Sequence, residues 1–152
     1  KALTFTEEIP GPYSNLGYIY LQRKDFSEAA RTYRRATEVL RAEMAEYTRK
    51  EHFKGRIARQ YNNLGAVYEK EYRARGDEKY FDLAEKSYEK AIEFEKAFSQ
   101  AYFNRGVLYW NRDWEKAARN FRLAAEYDPA NQSALRYYNL AREKAQNLRK
   151  RP

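Results

Sequence analysis

The residues able to do acid–base or nucleophilic chemistry are few, and their placement argues against a reaction centre. His52 is the only histidine among 152 residues and there is no cysteine, so neither a disulfide framework nor a thiolate metal site can form. His52 falls in a segment expected to be a turn between helices and reads as a surface residue. Glu85, Glu89 and Glu93 recur every four residues, a spacing that aligns carboxylates along one helix face. Lys86, Lys90 and Lys96 lie among them, so solvated ion pairs explain the pattern better than paired carboxylates for acid–base work. The glycines are isolated and form no phosphate-cradling loop. No catalytic, cofactor-binding or metal site is expected, and the chain is not expected to be an enzyme.

The elements around these residues are helical. Charged residues make up 34% and apolar residues 43%, with 15 tyrosines among the apolar set, so the interior must take rings that also seek hydrogen-bond partners. Four prolines and six glycines favour a few long helices over many short strands. No apolar run approaches the roughly 18 residues of a membrane-spanning helix, so a soluble segment is expected. A first residue Lys1 suggests a processed or excised piece, and the compartment stays open, with cytoplasm and periplasm both compatible.

Self-comparison reveals three copies of one pattern. Tyr13, Leu16, Gly17 and Tyr20 align with Tyr61, Leu64, Gly65 and Tyr68, and with Tyr102, Arg105, Gly106 and Tyr109. Each copy is followed by a second signature: Ala29, Tyr33 and Ala36; Ala84, Tyr88 and Ala91; Ala117, Phe121 and Ala124. Offsets of three, one and three share one helical face, and the glycine removes a side chain where a second helix must come close. The second helix answers with alanines at the crossing and a ring beside them. Such a pair cannot bury its outer faces alone, so copies must stack.

These residues make the chain resemble the tetratricopeptide repeat family over nearly its whole length, with Asp128-Pro129 at the expected end of the third copy. The resemblance implies an all-α, right-handed superhelical stack of antiparallel helix pairs, about seven helices in all. The expected organisation is a linker or end of a preceding element at 1–9, repeats at 10–57, 58–98 and 99–131, a capping helix at 132–148 with Leu135 and Tyr138 facing inward, and a basic tail at 149–152. Gly17, Gly65 and Gly106 are 48 and 41 residues apart, exceeding a period of about 34 by 14 and 7. Those are whole heptads, which lengthen helices by complete turns and keep the buried face in place. Tyr33, Thr37, Leu40, Met44 and Tyr47 continue the helical spacing, predicting a second helix to about Arg49 and a turn near Glu51 to Gly55. The second pair should project to a turn at Arg75-Gly76-Asp77. Arg105, standing for the usual leucine, should pack its stem and release its guanidinium to solvent.

In the resembling family, first helices line a concave groove that receives a peptide. Carried over by position, that surface comprises Asn15 and Tyr18; Arg59, Asn62, Asn63, Ala66 and Lys70; Gln100, Phe103, Asn104, Val107, Trp110 and Asn111; and Arg136, Tyr137 and Leu140. Asn15, Asn63 and Asn104 share one position in three copies, and each carboxamide offers a donor and an acceptor to a peptide backbone. Trp110 and Phe103 would be apolar anchors, with Trp114 in the packed turn. The family's chaperone-tail binders clamp a terminal carboxylate with Lys, Asn and Arg. The corresponding positions read Ser14, Tyr18, Asn63, Gln100 and Asn104, of which only Asn63 matches, so a chaperone-tail receptor is not expected.

Net charge is +8 and the isoelectric point about 9.5. Residues 135–152 hold six Lys/Arg (Arg136, Arg142, Lys144, Arg149, Lys150, Arg151) against Glu143, a net +5. The expected function is a scaffold or adaptor for a protein or peptide, within a larger assembly, with self-association through the lengthened helices as a further use. RNA or another polyanion on the basic C-terminal region is the alternative, as is a docking segment of a larger enzyme. Nucleic acid is disfavoured because 22 acidic residues are interspersed along the chain.

Overall fold

A computed structural model describes residues 10–47 and 50–149. Seven helices account for the regular structure among them: α1 (Pro10–Gln22), α2 (Phe26–Glu46), α3 (Glu51–Arg75), α4 (Glu78–Phe94), α5 (Ser99–Tyr109), α6 (Trp114–Tyr127) and α7 (Gln132–Arg149). The chain divides into two compact units after Lys96. In the first, α1 packs on α2, α2 on α3 and α3 on α4; in the second, α6 packs against both α5 and α7.

One contact is repeated in all three helix pairs. A Cβ built on Gly17 would stand 2.7 Å from the Tyr33 ring, one on Gly65 2.6 Å from Tyr88, and one on Gly106 2.8 Å from Phe121. The ring of each second helix therefore lies directly on the backbone of the first. Ala29 and Ala36, Ala84 and Ala91, and Ala117 and Ala124 are buried around these rings. What meets the far end of the ring differs. The Tyr88 hydroxyl donates to Glu69 Oε2 at 2.9 Å, and Glu69, itself buried, is held by Arg73 at 2.8 Å. Phe121 has no hydroxyl, and Trp110, at the position of Glu69, packs edge-on to it at 6.0 Å.

The turns inside the pairs are also repeated. Lys24, Gly76 and Asn111 take positive φ of 59°, 68° and 67°. Aspartates then cap the second helices, Asp25 accepting from the Glu28 amide, Asp77 from Lys79 and Asp113 from Lys116. Asn131 caps α7 through the Ala134 amide at 3.0 Å. The turn at Arg75-Gly76-Asp77 is where it was expected, with the Gly76 amide closing α3 on Tyr72 O.

Helix lengths of 21, 25 and 17 residues for α2, α3 and α4 exceed the 11 and 14 of α5 and α6. The surplus is shared differently from the expectation. Helix α2 ends at Glu46 and α3 starts at Glu51, so the expected turn at Glu51 to Gly55 is helix, His52 is an exposed residue on its first turn, and position 57/58 lies inside α3. The expected helix end at Arg49 falls outside the described residues. The reason is apolar: Phe53 and Ile57 extend α3 backwards to pack on Leu40, Met44 and Phe94, with Tyr61 stacked on Phe94 at 5.7 Å. Tyr47, expected as the last residue of the α2 stripe, is the C-cap and is exposed beside Phe53. Helix α1 begins at Pro10; residues 1–9 and 150–152 lie outside the description.

Two further expectations are corrected. Leu135 is 54% exposed. The inner stripe of α7 runs through Ala134, Tyr138, Ala141 and Ala145, and Leu135, about 100° around the helix from Ala134, falls off it. Arg105 packs its stem, but its Nε is enclosed and its guanidinium sits 5.9 Å from the Tyr109 ring centroid instead of reaching clear of the fold.

Two measurements check this packing. Gly65→Ala should lower the thermal midpoint, since overpacking against Tyr88 costs about 1–3 kcal/mol and outweighs the gain of about 1 kcal/mol in helix propensity. Gly55→Ala meets only the Glu95 carboxylate, at 3.1 Å, which swings aside, so its midpoint should hold or rise. Burial pushes the Tyr33 hydroxyl up to about 12. Burial, reinforced by Glu69, raises Tyr88 well above its usual value. An unfolded tyrosine ionises near pH 10, so the raised groups contribute stability that is complete below pH ~10 and falls as pH rises, by about 1.4 kcal/mol per group per pH unit. Denaturant titrations between pH 9 and 12 should show this loss, and Tyr33→Phe should flatten it.

Candidate functional site

In the first unit the first helices of both pairs meet at a polar contact. Ser14 Oγ on α1 donates to Gln60 Oε1 on α3 at 2.9 Å, setting the face of α1 beside that of α3. Asn15 and Tyr18 project from this part of α1, both exposed, Tyr18 by 58%. Arg59 and Lys70 are exposed on α3, with half-buried Asn63 and Ala66 between them. The Asn63 side chain makes no hydrogen bond within the described residues, so its carboxamide keeps both donors and its acceptor. Asn62 does not join this face. It is only 7% exposed, because one residue along a helix turns a side chain by about 100°, here into the interior of the unit.

In the second unit Gln100 Nε2 donates to Asn104 Oδ1 at 2.9 Å on α5, so Asn104 presents a carboxamide already engaged by its helical neighbour. Val107 is half-buried on the same helix. Phe103 and Trp110 are not free anchors. Phe103 sits edge-on to Phe121 at 5.4 Å and to Tyr137 at 5.9 Å; Trp110 lies 5.3 Å from Tyr137 and 4.8 Å from Trp114; Tyr137 stacks on Phe121 at 5.3 Å. Each such pair is worth about 0.5–1.5 kcal/mol beyond its buried area, so the rings join α5, α6 and α7 and offer only their outer edges. Trp110 and Asn111 follow the end of α5, and the left-handed φ of Asn111 explains an asparagine there through the turn. Arg136 and Leu140 are exposed on α7, beside the partly exposed Tyr137.

Ion pairs distribute unevenly over the first unit. Arg31 with Glu28, Arg35 with Glu38, Lys54 with Glu51, Arg75 with Glu71 and Lys90 with Glu93 are joined within their own helices. The expected carboxylate–lysine ladder on α4 thus includes the Lys90–Glu93 pair, at 2.7 Å. In the basic C-terminal region Arg149 is paired with Glu115 of α6, while Arg136, Arg142 and Lys144 are exposed. Among the described residues no group of three or more His, Asp or Glu is placed to hold a metal ion, and no helix is long and apolar enough to cross a membrane.

Several functional-looking features went unread in the sequence. The sequence does not announce that Tyr137 is the centre of a ring cluster. A cavity of about 370 Å³ lined by Trp114, Ala145 and Leu148 with Arg112, Asp113, Glu115 and Arg149 depends on α7 folding back on α6, which no local pattern announces.

Residues 11–39 match the family model described as tetratricopeptide repeat. Among solved structures the chain resembles the tetratricopeptide domain of Arabidopsis OM64, with 21% identity, a TM-score of 0.66, and coverage of 90% of this chain and 97% of that one. It also resembles the first such domain of Spaghetti (RPAP3) bound to the HSP90 peptide SRMEEVD, with 16% identity, a TM-score of 0.70, and coverage of 92% and 98%. The TPR2B-domain:pHsp70 complex of yeast Sti1 matches at 19% identity and a TM-score of 0.66, covering 89% and 97%. No curated protein sequence matches the chain. With the glycine–ring pairs and the seven-helix order, these likenesses show that the chain has the fold of tetratricopeptide repeat domains, and residues 11–39 match that family's model.

Proposed function

We propose that the chain is a protein-interaction scaffold without chemistry of its own, holding a peptide or protein segment on the exposed faces of its first helices: Asn15, Tyr18, Arg59, Asn63, Ala66 and Lys70 in the first unit, and Gln100, Phe103, Asn104, Val107 and Tyr137 in the second. The observation that carries this reading is the asparagine at one position in α1, α3 and α5, with Asn63 free to take up both donor and acceptor bonds. A carboxamide on a rigid helix recognises any backbone amide and carbonyl, whatever side chains accompany them. Two of the similar structures are themselves complexes, one with an HSP90 peptide and one with pHsp70, which supports peptide holding as a use of this fold. The chaperone tail is not the proposed ligand here, since Ser14 and Tyr18 bring no cation to the clamp and Ser14 is spent on Gln60. The lengthened α3 and α4 suit a dedicated assembly partner.

The test is selection of a random-peptide display library on the immobilised chain, with affinities of enriched peptides measured for the parent and for Asn15→Ala/Asn63→Ala, both within the first unit. Two lost carboxamide bonds at about 0.5–1.5 kcal/mol each predict binding weaker by about 5- to 100-fold, with the helical circular dichroism signal retained. Failure to enrich any peptide, or equal affinity for both proteins, would overturn the proposal.

A further inference from the structure

Arg59 and Lys70 stand on the α3 face with no carboxylate in helical reach, which bears on what that face can hold. On a helix a cation is neutralised by a carboxylate three or four residues away, and Arg31, Arg35, Lys54, Arg73, Arg75 and Lys90 all have one. The corresponding neighbours of Arg59 are Gly55, Arg56, Asn62 and Asn63, and those of Lys70 are Ala66, Val67, Arg73 and Ala74. No acidic residue is among them. Helix α1, set beside this face by the Ser14–Gln60 bond, carries no charged residue at all. Both cations are exposed and, among the described residues, neither forms an ion pair.

The spacing aligns the two. Eleven residues advance about 16 Å along a helix and return to within about 20° of the starting direction, so Arg59 and Lys70 bracket Asn63 on one face. An extended chain covers that distance in about five residues. Resting on the reading of this face as a peptide surface, we infer that it binds an acidic segment through internal aspartate or glutamate side chains about five residues apart, with Asn63 on the backbone between them. A terminal carboxylate is not required, because the two cations diverge along the helix and no fork of donors converges on one point.

The probe is a short C-terminally amidated peptide of alternating glutamate and serine, with the glutamine–serine peptide as its neutral counterpart, followed by fluorescence anisotropy against the full chain. Arg59→Glu/Lys70→Glu is compared with Arg31→Glu/Lys90→Glu, which changes net charge equally at cations already paired on other helices. Arg59→Gln/Lys70→Gln removes the charges without reversal, and circular dichroism checks the fold of each. Expected are binding of the glutamate peptide to the parent and to the Arg31/Lys90 variant, loss of about tenfold or more in Arg59→Glu/Lys70→Glu, a smaller loss in the glutamine variant, and weak binding of the neutral peptide. Equal losses in the two reversal variants would reduce the effect to overall charge and overturn the inference. So would tighter, Arg59/Lys70-dependent binding of oligouridylate, which would assign the face to RNA. If library peptides depend on Asn63 yet are not acidic and ignore Arg59 and Lys70, this inference fails while the peptide scaffold stands; if no peptide binds at all, both fail.

Discussion

Because the first helix of each pair has no side chain at Gly17, Gly65 or Gly106, the ring of the second helix rests on its backbone, and the distance between the helices is set by the thickness of that ring. The rest of each pair follows from it. Alanines must flank the ring, since anything larger would hold the helices apart. The position one turn beyond the glycine must suit the far end of the ring: Glu69 for the Tyr88 hydroxyl, Trp110 for the bare Phe121. Exchanging either partner alone would leave a buried hydroxyl without an acceptor or a carboxylate against hydrocarbon.

This dependence explains which parts of the fold were legible in the sequence. Glycine, ring and alanine recur at fixed offsets, so the three pairs and the all-helical class could be read directly. The helix ends between pairs were not. Phe53 and Ile57 pack on Leu40 and Phe94, contacts distant in sequence, and a local reading placed a turn where they extend α3. Gly55 encouraged that error, since an isolated glycine signals a break in sequence, yet here it gives room to the Glu95 carboxylate. A better signal was available inside the pairs. Asp25, Asp77 and Asp113 each precede a second helix, and a residue able to turn left-handed stands just before Asp25 and Asp77 and two before Asp113. Lys24 hides the pattern, being a residue that adopts this conformation only at some cost.

The candidate surface was legible in its helical part and illegible at its edges. Positions counted from the glycine placed Asn15, Arg59, Asn63 and Lys70 on accessible faces, because a helix fixes direction from spacing alone. The same counting misjudged Asn62, one residue away and turned inward, and Trp110 and Asn111, which lie beyond the end of α5 where the helical count no longer applies. For Trp110, Phe103 and Tyr137 the sequence shows the ring chemistry but not that the three rings pack on one another. Rings placed at the junction of three helices satisfy one another first, and only their edges remain for a partner.

What remains unspent matters more for a scaffold than what is used. Most polar groups on α3 are engaged: Glu69 with Tyr88 and Arg73, Glu71 with Arg75, Tyr68 with Arg34, Gln60 with Ser14. Several of these lie in the packed interior, where an unpaired group would cost about 1–3 kcal/mol, so they hold α3 in one rotation about its axis. That rotation keeps Arg59, Asn63 and Lys70 outward without any bond of their own. Their hydrogen-bonding and charge capacity is therefore held in place by residues that take no part in recognition, and a ligand meeting this face need not supply the ordering of the helix that carries it.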